Sequence, residues 1–210
     1  MNFKEKKDIL LEKLNISLSD KQIEKLEKWY ENFINYNSHT NLMSKGDIEV
    51  LFEKHVFDSL AINLWKDFKN IKTVLDVGTG GGFPSVILTI CYPDKKIIAN
   101  DSRIKKINFI KEIKSMLNLD NLEIIYSRIE ETNPLNVDLI VSRAVGKMLD
   151  VYKLSKKHLG KNGKFLIYKS KSAKEEIEAF KKEYRGSDFE IIGYSLPLKE
   201  NYERNLVILK

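Results

Sequence analysis

The stretch VLDVGTGGGFP, residues Val74 to Pro84, places four glycines in five positions directly after a run of apolar residues. Glycine has no Cβ, so these positions tolerate positive φ angles and let a ligand lie against the backbone. Pro84 is favoured in the first turn of a helix, whose free N–H groups would face the same ligand. The stretch therefore predicts a strand, a binding turn and a helix, and turns of this kind bind dinucleotides, phosphates or nucleosides.

The spacing of the glycines separates these ligands. In the dinucleotide fingerprint G-x-G-x-x-G, counted from Gly78, the third glycine would fall on Phe83, which argues against NAD. Neither Lys-Ser nor Lys-Thr follows the turn, so it is not a P-loop. Asp101, at the end of the next predicted strand, is placed to accept both hydroxyls of an adenosine ribose, the alternative being that it caps the following helix. Combined with the alternation of Gly78, Gly80 and Gly82, Asp101 favours S-adenosylmethionine.

Beyond residue 72, short apolar runs alternate with amphipathic stretches of about ten to fifteen residues, which is typical of βαβ units around a parallel sheet. The predicted strands are 73–77, 96–100, 122–126, 137–142, 164–169, 189–198 and 204–210. The predicted helices between them are 84–91, 105–117, 147–158 and 174–184. The last two strands are separated by KENYE alone, which is too short for a crossover helix, so we expect them to pair antiparallel.

The first part of the chain has helical periodicity and no evident strand. Ser19 and Gln22 form a plausible capping box for a helix that continues through residue 33. The polar run NYNSHTN, residues 35–41, is expected to end that helix, and residues 48–65 are expected to form another.

The composition excludes several classes of protein. With 42% hydrophobic and 31% charged residues, the chain resembles a folded globular protein. The sequence has neither an apolar run long enough to span a bilayer nor the apolar core of a signal peptide, so we expect a cytoplasmic protein and no membrane partner. A single cysteine, Cys91, excludes an internal disulfide and a multi-cysteine metal site, and no metal is expected. We expect residues 1–70 to be a helical extension packed on a ligand-binding domain, residues 71–210.

The net charge of +6 is unevenly distributed along the chain. Residues 71–210 hold 25 basic and 18 acidic residues, and residues 147–182 alone hold 11 lysines and four acids. A basic surplus concentrated in one part of a domain favours a polyanionic partner. The alternative is a lysine-rich solvated surface.

Several further motifs are dispersed along the chain, namely YNSHTNLMS (36–44), HVFDSL (55–60), LDVGTGGGFPSVIL (75–88), NDSRIKKINFIKEI (100–113), SRIEE (127–131), VSRAVG (141–146), LIYKSK (166–171) and ERNLVILK (203–210). In these motifs the chain resembles the RsmG (GidB) family, which methylates N7 of a guanine in bacterial 16S ribosomal RNA with S-adenosylmethionine. The glycine turn fits all class I methyltransferases, whereas the HxxDS, SRxEE and SRA elements are specific to this family. The sequence departs from the family at Gly81, where many members have proline, and at Asn100, where an apolar residue is commoner.

The resemblance implies an α/β, Rossmann-like class I fold with a mostly parallel seven-stranded sheet, an antiparallel last strand and an N-terminal helical extension. It also implies the site residues. The donor contacts would be Gly78, Phe83, Ile129, Glu130 and Arg143, with the adenine beside Ile129 and Glu130. The basic residues facing donor and RNA would be Lys105, Arg128, Lys169 and Arg204.

Guanine N7 carries an in-plane lone pair, so its methylation needs proximity and orientation rather than a general base. We therefore expect Arg143 to act by positioning, holding guanine O6 or a phosphate through paired donors. The alternative is that Arg143 pairs with Asp101 or Glu130 and only shapes the pocket. His55 and Asp58, one helical turn apart, are expected to anchor a helix to the sheet.

The other basic residues also have structural interpretations. Lys169 would be a solvated lysine, Arg128 a surface ion pair, and Arg204 a solubilising residue on an edge strand. Two other functions remain open, a class I methyltransferase for a small molecule or protein and a nucleic-acid-binding module without activity. We expect a monomer, and naked RNA, a precursor and the assembled subunit are the alternative substrates.

Overall fold

The computed structural model describes residues 3–170, 173–198 and 202–210, with the side chains of residues 4–6 and 9–11 left out. Lys171, the last residue of the LIYKSK motif, lies outside the described residues. The helices are α1 Phe3–Leu14, α2 Asp20–Thr40, α3 Lys45–Glu49, α4 Phe57–Leu60, α5 Ser85–Cys91, α6 Ile104–Leu117, α7 Met148–Ser155 and α8 Ala173–Glu183. The strands are β1 Thr73–Val77, β2 Lys96–Asp101, β3 Leu122–Tyr126, β4 Val137–Arg143, β5 Leu159–Lys169, β6 Phe189–Leu196 and β7 Tyr202–Leu209.

Within the described residues, seven strands form one sheet in the order β3-β2-β1-β4-β5-β7-β6. The pairs among β1 to β5 are parallel, and β7 runs antiparallel to both β5 and β6. The predicted strands and the antiparallel final strand are therefore confirmed. The strand order reverses beside β1, which pairs with β2 on one side and β4 on the other, and ligands of such sheets bind outside the carboxyl ends of the strands at this point.

The position of β7 corrects one interpretation from the sequence. Arg204 lies on β7, which is held between β5 and β6 and is not an edge strand. The hairpin turns back inward, so β6 becomes the outer strand. Edge-strand solubilisation is therefore the wrong explanation for this arginine.

Helix α2 begins as predicted, and its end is later than predicted. Ser19 and Gln22 form the complete capping box. The polar run that was expected to break the helix instead continues it to Thr40, because the hydroxyl groups of Ser38 and Thr40 donate to carbonyls within the helix, at 2.7 Å each. The helix ends at Asn41, which adopts a left-handed conformation with φ 52°.

The predicted helical stretch over residues 48–65 is helical almost throughout but is not one regular α-helix. A wide turn, Leu51–Val56, precedes the short helix α4, and a 3₁₀ turn, Ala61–Leu64, follows it. In the wide turn the N–H of Phe57 reaches the carbonyl of Phe52, five residues back. This spacing lets the apolar pairs at 51–52 and 56–57 all face the interior, where they are buried.

Two apolar clusters cover the two faces of the sheet. One cluster joins α2 to α5 and α6 and includes Trp29, Phe33 and Phe83. The other lies under α7 and α8. Among the described residues, no helix is long and apolar enough to cross a bilayer. The Phe83 ring centroid lies 5.6 Å from that of Trp29 and 5.3 Å from that of Phe33. These aromatic contacts attach the glycine turn to the core.

Candidate active site

A cavity of about 570 Å³ opens at the carboxyl ends of β1, β2 and β4. It lies at the point where the strand order reverses, as expected for a ligand site in an open α/β sheet. Most of the predicted site residues line it, namely Gly78, Gly80, Phe83, Asp101, Arg128, Ile129, Glu130 and Arg143. The structure thus brings together residues from four separate parts of the sequence.

The glycine turn needs glycine for its positive φ angles and, at Gly78 and Gly82, because a Cβ would overlap a neighbouring side chain. Gly78, Gly80 and Gly82 all have positive φ, at 71°, 59° and 90°. A Cβ on Gly78 would overlap the side chain of Val145, and one on Gly82 would overlap Val86 of α5. A Cβ on Gly80 would meet no atom closer than 4.0 Å, so this glycine keeps the backbone open towards the cavity.

Asp76 fixes the start of α5 behind the turn. The backbone N–H of Ser85 donates to its carboxylate at 3.1 Å, so this N–H is not free to face a ligand as the sequence suggested. Burial raises the pKa of Asp76 to about 7, against the opposing hydrogen bonds from Thr79 and Ser85. Asp76 therefore stabilises the turn from within and does not line the cavity.

Asp101 connects the glycine turn to the start of α6. Its Oδ2 accepts from the Gly80 N–H at 2.9 Å, and its Oδ1 accepts from the Arg103 N–H at 2.9 Å and from the Arg103 guanidinium at 3.2 Å. Burial alone would raise the pKa of Asp101, but the hydrogen bonds from Arg103 and Gly80 hold it below its ordinary value. The carboxylate is ionised and lies in the cavity wall, and it also holds the residues that lead into the helix.

The segment after β3 forms the third side of the cavity. Ile129–Glu131 is a 3₁₀ turn with Ile129 buried. The Ile129 carbonyl lies 3.0 Å from Nε2 of the buried His158, and Lys157 donates to the Glu130 carbonyl at 2.6 Å. The turn after α7 thus holds this segment against the cavity.

Arg128 is a surface residue at the rim. Its side chain is 70% exposed, and its guanidinium lies 3.8 Å from the Glu130 carboxylate. An exposed pair of this kind contributes little to stability, so the guanidinium is accessible to a ligand.

Arg143, at the carboxyl end of β4, does not pair with Asp101 or Glu130, so the alternative interpretation from the sequence named the wrong partners. Its Nη1 donates to Asp58 at 3.2 Å, and its Nη2 lies 2.9 Å from Nδ1 of His55. The guanidinium also lies over the Phe83 ring, 5.0 Å from the centroid. These contacts place it in the cavity wall with its position fixed from the side of the N-terminal helices.

Asp58 connects three distant segments of the chain. It is 2% exposed and also accepts from Arg204 at 3.1 and 3.0 Å and from the Tyr194 hydroxyl. Burial opposes its ionisation, but the guanidinium groups of Arg143 and Arg204 lower its pKa. The predicted anchoring of a helix to the sheet by His55 and Asp58 agrees with these contacts, although the partners were not predicted.

Burial and the Arg143 charge lower the pKa of His55 to about 4, despite the nearby Asp47 carboxylate. His55 is therefore neutral at physiological pH. Its Nδ1 carries a lone pair, so it accepts from Arg143 and does not repel it.

The remaining basic residues differ in accessibility. Lys105 is exposed on α6. Lys169 is 12% exposed and bonded to the Glu176 carboxylate at 2.8 Å and the Gly146 carbonyl at 2.7 Å, so the solvated-lysine interpretation is wrong. Arg204 is 14% exposed and held by Asp58. Only Lys105 and Arg128 of the four predicted RNA contacts present an accessible charge.

Two site residues were not assigned a role from the sequence. Asn100 donates to the carbonyls of Ile125 and Ser127, at 3.3 and 2.9 Å, and so fixes the end of β2 to the segment after β3. Its polar side chain at a buried strand position was the available signal. Val145 covers Gly78 from a loop in which Ala144 has φ 60°, and no sequence pattern predicted this.

The described residues contain no group of three His, Cys, Asp or Glu side chains that could hold a metal ion. The cavity wall instead combines the open backbone at Gly80, the Asp101 carboxylate, the turn with Ile129 and Glu130, and the Arg143 guanidinium. This donor set suits a nucleoside with a charged tail, because each part of such a ligand has a matching group.

Known proteins resemble this chain over most of its length. A family model described as GidB, rRNA small subunit methyltransferase G, matches residues 22–207. The chain is 35% identical over 208 residues to ribosomal RNA small subunit methyltransferase G of Bacillus licheniformis, covering 95% of this chain and 87% of that protein. It is also 35% identical over 210 residues to the protein of the same name from Lachnoclostridium phytofermentans, covering 95% and 86%. A putative S-adenosyl-L-methionine-dependent methyltransferase from Methanococcus maripaludis has the same fold, with a TM-score of 0.56, 21% identity and coverage of 74% of this chain and 84% of that one.

Proposed function

Because the chain belongs to the rRNA small subunit methyltransferase G family, we propose that it transfers a methyl group from S-adenosylmethionine to N7 of a guanine in 16S ribosomal RNA. The observation that carries this proposal is the single cavity in which the glycine turn, Asp101, the 129–131 turn and Arg143 meet. We also propose that residues 1–70 act as a helical extension of the 71–210 methyltransferase domain, and that the protein works in the cytoplasm as a monomer.

The cavity fits the methyl donor at each of its parts. The open backbone at Gly80 leaves space beside the Asp101 carboxylate, which would accept the ribose hydroxyls. The buried Ile129 and the exposed Glu130 offer an apolar surface and an acceptor for the adenine. Gly78 and Phe83 would hold the methionine end. Gly82 does not line the cavity and would act indirectly, because its positive φ and its close approach to Val86 keep the turn in shape.

The chemistry requires little more than orientation. The bound sulfonium supplies an electrophilic methyl group, and guanine N7 already has the lone pair that attacks it. The protein therefore needs to hold the base in line and to exclude competing water. Of the described residues, the carboxylates in the cavity wall are Asp101 and Glu130, and Asp101 is already ionised and bonded to Gly80 and Arg103. This agrees with a reaction that needs no general base.

Arg143 is the residue to which we assign the orientation of the acceptor. An arginine has five N–H donors, of which two are directed to Asp58 and His55. The others remain for guanine O6 or a phosphate oxygen, both of which arginine binds through paired donors. Because Asp58 and His55 already hold the Arg143 guanidinium, little side-chain entropy is lost when it binds the acceptor.

For the RNA surface we propose Lys105 and Arg128, the two of the four predicted RNA contacts whose side chains are exposed. An RNA role for Lys169 or Arg204 would require their ion pairs with Glu176 and Asp58 to break. Removing Arg204 from the buried Asp58 carboxylate costs free energy, so an RNA contact by Arg204 is less favourable than one by Lys105 or Arg128.

The test is to map the modified bases of 16S ribosomal RNA from a strain lacking the protein. We expect one 7-methylguanosine to be absent and to return when the wild-type gene is restored, and not when the gene carries Gly78→Ala. An unchanged methylation pattern in the deletion strain would overturn the proposal. Methyl transfer to a small-molecule or protein acceptor, at a rate that does not depend on salt concentration, would then support the alternative function.

A further inference from the structure

The cluster around Asp58 contains more positive than negative charge. We define the Asp58 cluster as Asp58, Arg143, Arg204, Tyr194 and His55. One carboxylate accepts from two guanidinium groups, at 3.0 to 3.2 Å, and from one phenol. The histidine is neutral, so the cluster carries one net positive charge in the interior.

The two arginines of the cluster are not equivalent. Arg143 lines the cavity, and its guanidinium lies over the Phe83 ring. Arg204, on β7, is absent from the described lining of the cavity and donates through both Nε and Nη2 to Asp58, in a bidentate pair. Bidentate pairs fix orientation as well as energy, so Arg204 orients the carboxylate.

Asp58 itself is not part of the cavity wall, as far as the described residues show. Among the hydrogen bonds of the described residues, the one from Arg143 connects Asp58 to the cavity wall. Without the carboxylate, two like charges would face each other in a buried space, and Arg143 would lose the acceptor that fixes its Nη1. Of the two side-chain partners described for the arginine, His55 alone would then remain to hold it against the face of Phe83.

We propose that Asp58 is a positioning residue for methyl transfer, holding the Arg143 guanidinium at the cavity while Arg204 and Tyr194 hold Asp58. This inference rests on the proposed function. It assigns the outer hairpin, β6 and β7, a part in the geometry of the site, because Tyr194 and Arg204 belong to these strands.

The experiment is a double-mutant cycle on the single-turnover rate of methyl transfer to 16S ribosomal RNA, with Asp58→Asn, Arg143→Gln and the double variant. If Asp58 acts through Arg143, Asp58→Asn lowers the rate at least about tenfold in the wild-type background and less than about twofold in the Arg143→Gln background. An equal loss in both backgrounds, or no loss in either, would overturn the proposal. A purely structural role predicts an equal loss in both.

A second variant protects the test against misfolding. Asp58→Asn with Arg204→Gln removes one charge of each sign, so the cluster keeps the net charge of the wild type. Compared with Arg204→Gln alone, this variant should still lose rate, although by less than Asp58→Asn does in the wild type because Arg204 no longer orients the carboxylate, and the loss should again depend on Arg143. Circular dichroism establishes that each variant is folded before its rate is measured.

Asp138→Asn is the matched control. Asp138 accepts from the backbone N–H groups of Lys72 and Thr73, at 2.9 and 2.8 Å, at the opposite end of β4. The same carboxylate-to-amide change there should lower stability and leave the rate of the folded protein unchanged. A loss as large as that of Asp58→Asn would contradict a specific role for Asp58.

Failure of the proposed function is recognised separately. If the wild-type protein methylates no 16S substrate, the cycle is repeated on the dissociation constant for S-adenosylmethionine, measured by calorimetry. Asp58→Asn should then weaken donor binding only when Arg143 is present. A loss of affinity that is equal with and without Arg143 would reject the positioning role itself.

Discussion

Asp58 and His55 hold Arg143 in place, and its other N–H groups are available to the acceptor base. Its removal should therefore affect the rate of methyl transfer more than the affinity for RNA. We predict that Arg143→Ala lowers the single-turnover rate of methyl transfer about 100-fold, as expected for a misplaced reacting group. RNA affinity should change less than about threefold, because one contact among many is lost. Rates come from rapid-quench measurements and affinities from filter binding.

Arg128→Ala is the control for Arg143→Ala. Its guanidinium is exposed at the rim and makes one weak ion pair with Glu130. We expect the opposite pattern, with weaker RNA binding and an unchanged rate at saturating RNA. A single-turnover rate of Arg143→Ala equal to that of the wild type would remove Arg143 from the mechanism.

His55 makes the free energy of unfolding depend on pH. Burial and Arg143 lower its pKa to about 4 in the folded state, below its ordinary value of 6.5. The stability that neutral His55 contributes is thus present above about pH 6.5 and is lost as the pH falls towards 4. Between about pH 7.5 and about pH 5, the wild type should lose about 2 kcal/mol relative to His55→Asn, which does not titrate.

Urea denaturation of both proteins at the two pH values measures this difference. The raised pKa of Asp76 acts in the opposite direction in the same range, stabilising at low pH, but it is present in both proteins and cancels. A wild-type-minus-variant difference that does not change with pH would mean that His55 is not held neutral by its surroundings.

The roles of single residues were predicted where the chemistry is local in sequence. Asp101 follows its strand directly, and the glycines are adjacent to each other, so both were recognisable. The partners of Asp58 lie 85, 136 and 146 residues further along the chain. Nothing in the local pattern of HVFDS indicates which arginines the fold will bring to it, and this is why Arg204 was misinterpreted.

The turn between β1 and α5 is the element on which donor binding most depends. We predict that Gly78→Ala weakens S-adenosylmethionine binding more than tenfold, because the new Cβ overlaps Val145 and the residue has φ 71°. The strain should also lower stability by about 1–3 kcal/mol. Calorimetry with the donor and urea denaturation measure the two effects.

Gly46→Ala provides the matched substitution. Gly46 lies in α3, where a Cβ would meet no atom within 4 Å. This change should leave donor binding unaltered and stabilise the protein by up to about 1 kcal/mol, as alanine does in helices. Undiminished donor affinity in Gly78→Ala would show that the turn does not hold the ligand.

At the level of elements, regular patterns were predicted and irregular ones were not. The βαβ region was recognisable because each strand is a short apolar run between amphipathic helices. The end of α2 was not, because the helix tolerates a polar run in which Ser38 and Thr40 satisfy their hydroxyl groups on carbonyls of the preceding turn. The wide turn at Leu51–Val56 depends on tertiary burial of adjacent apolar pairs, which local periodicity does not encode.

The distribution of charge concerns the molecule as a whole. Residues 147–182 hold 11 lysines, but several of these are engaged, such as Lys153 with Glu183 at 2.7 Å and Lys169 with Glu176 at 2.8 Å. We predict that RNA affinity falls steeply with salt and that Lys105→Ala reduces the slope of log Kd against log salt by about one phosphate contact, roughly 0.7–0.9.

Lys96→Ala is the comparison for the salt titration. Lys96 pairs with Glu123 at 2.7 Å, at the start of β2 and therefore at the opposite end of the sheet from the cavity. Its removal should not change the slope. A wild-type slope near zero would contradict a polyanionic substrate and favour a small acceptor.

The most direct test of the whole account is methyl transfer by the purified protein. Labelled S-adenosylmethionine is incubated with small ribosomal subunits, and separately with naked 16S ribosomal RNA, from a strain that lacks the protein. We predict that label enters 16S RNA as a single 7-methylguanosine, that RNA from the parent strain accepts none because it already carries this methyl group, and that Gly78→Ala strongly reduces transfer. Absence of label from guanine N7 in every small-subunit substrate would contradict it.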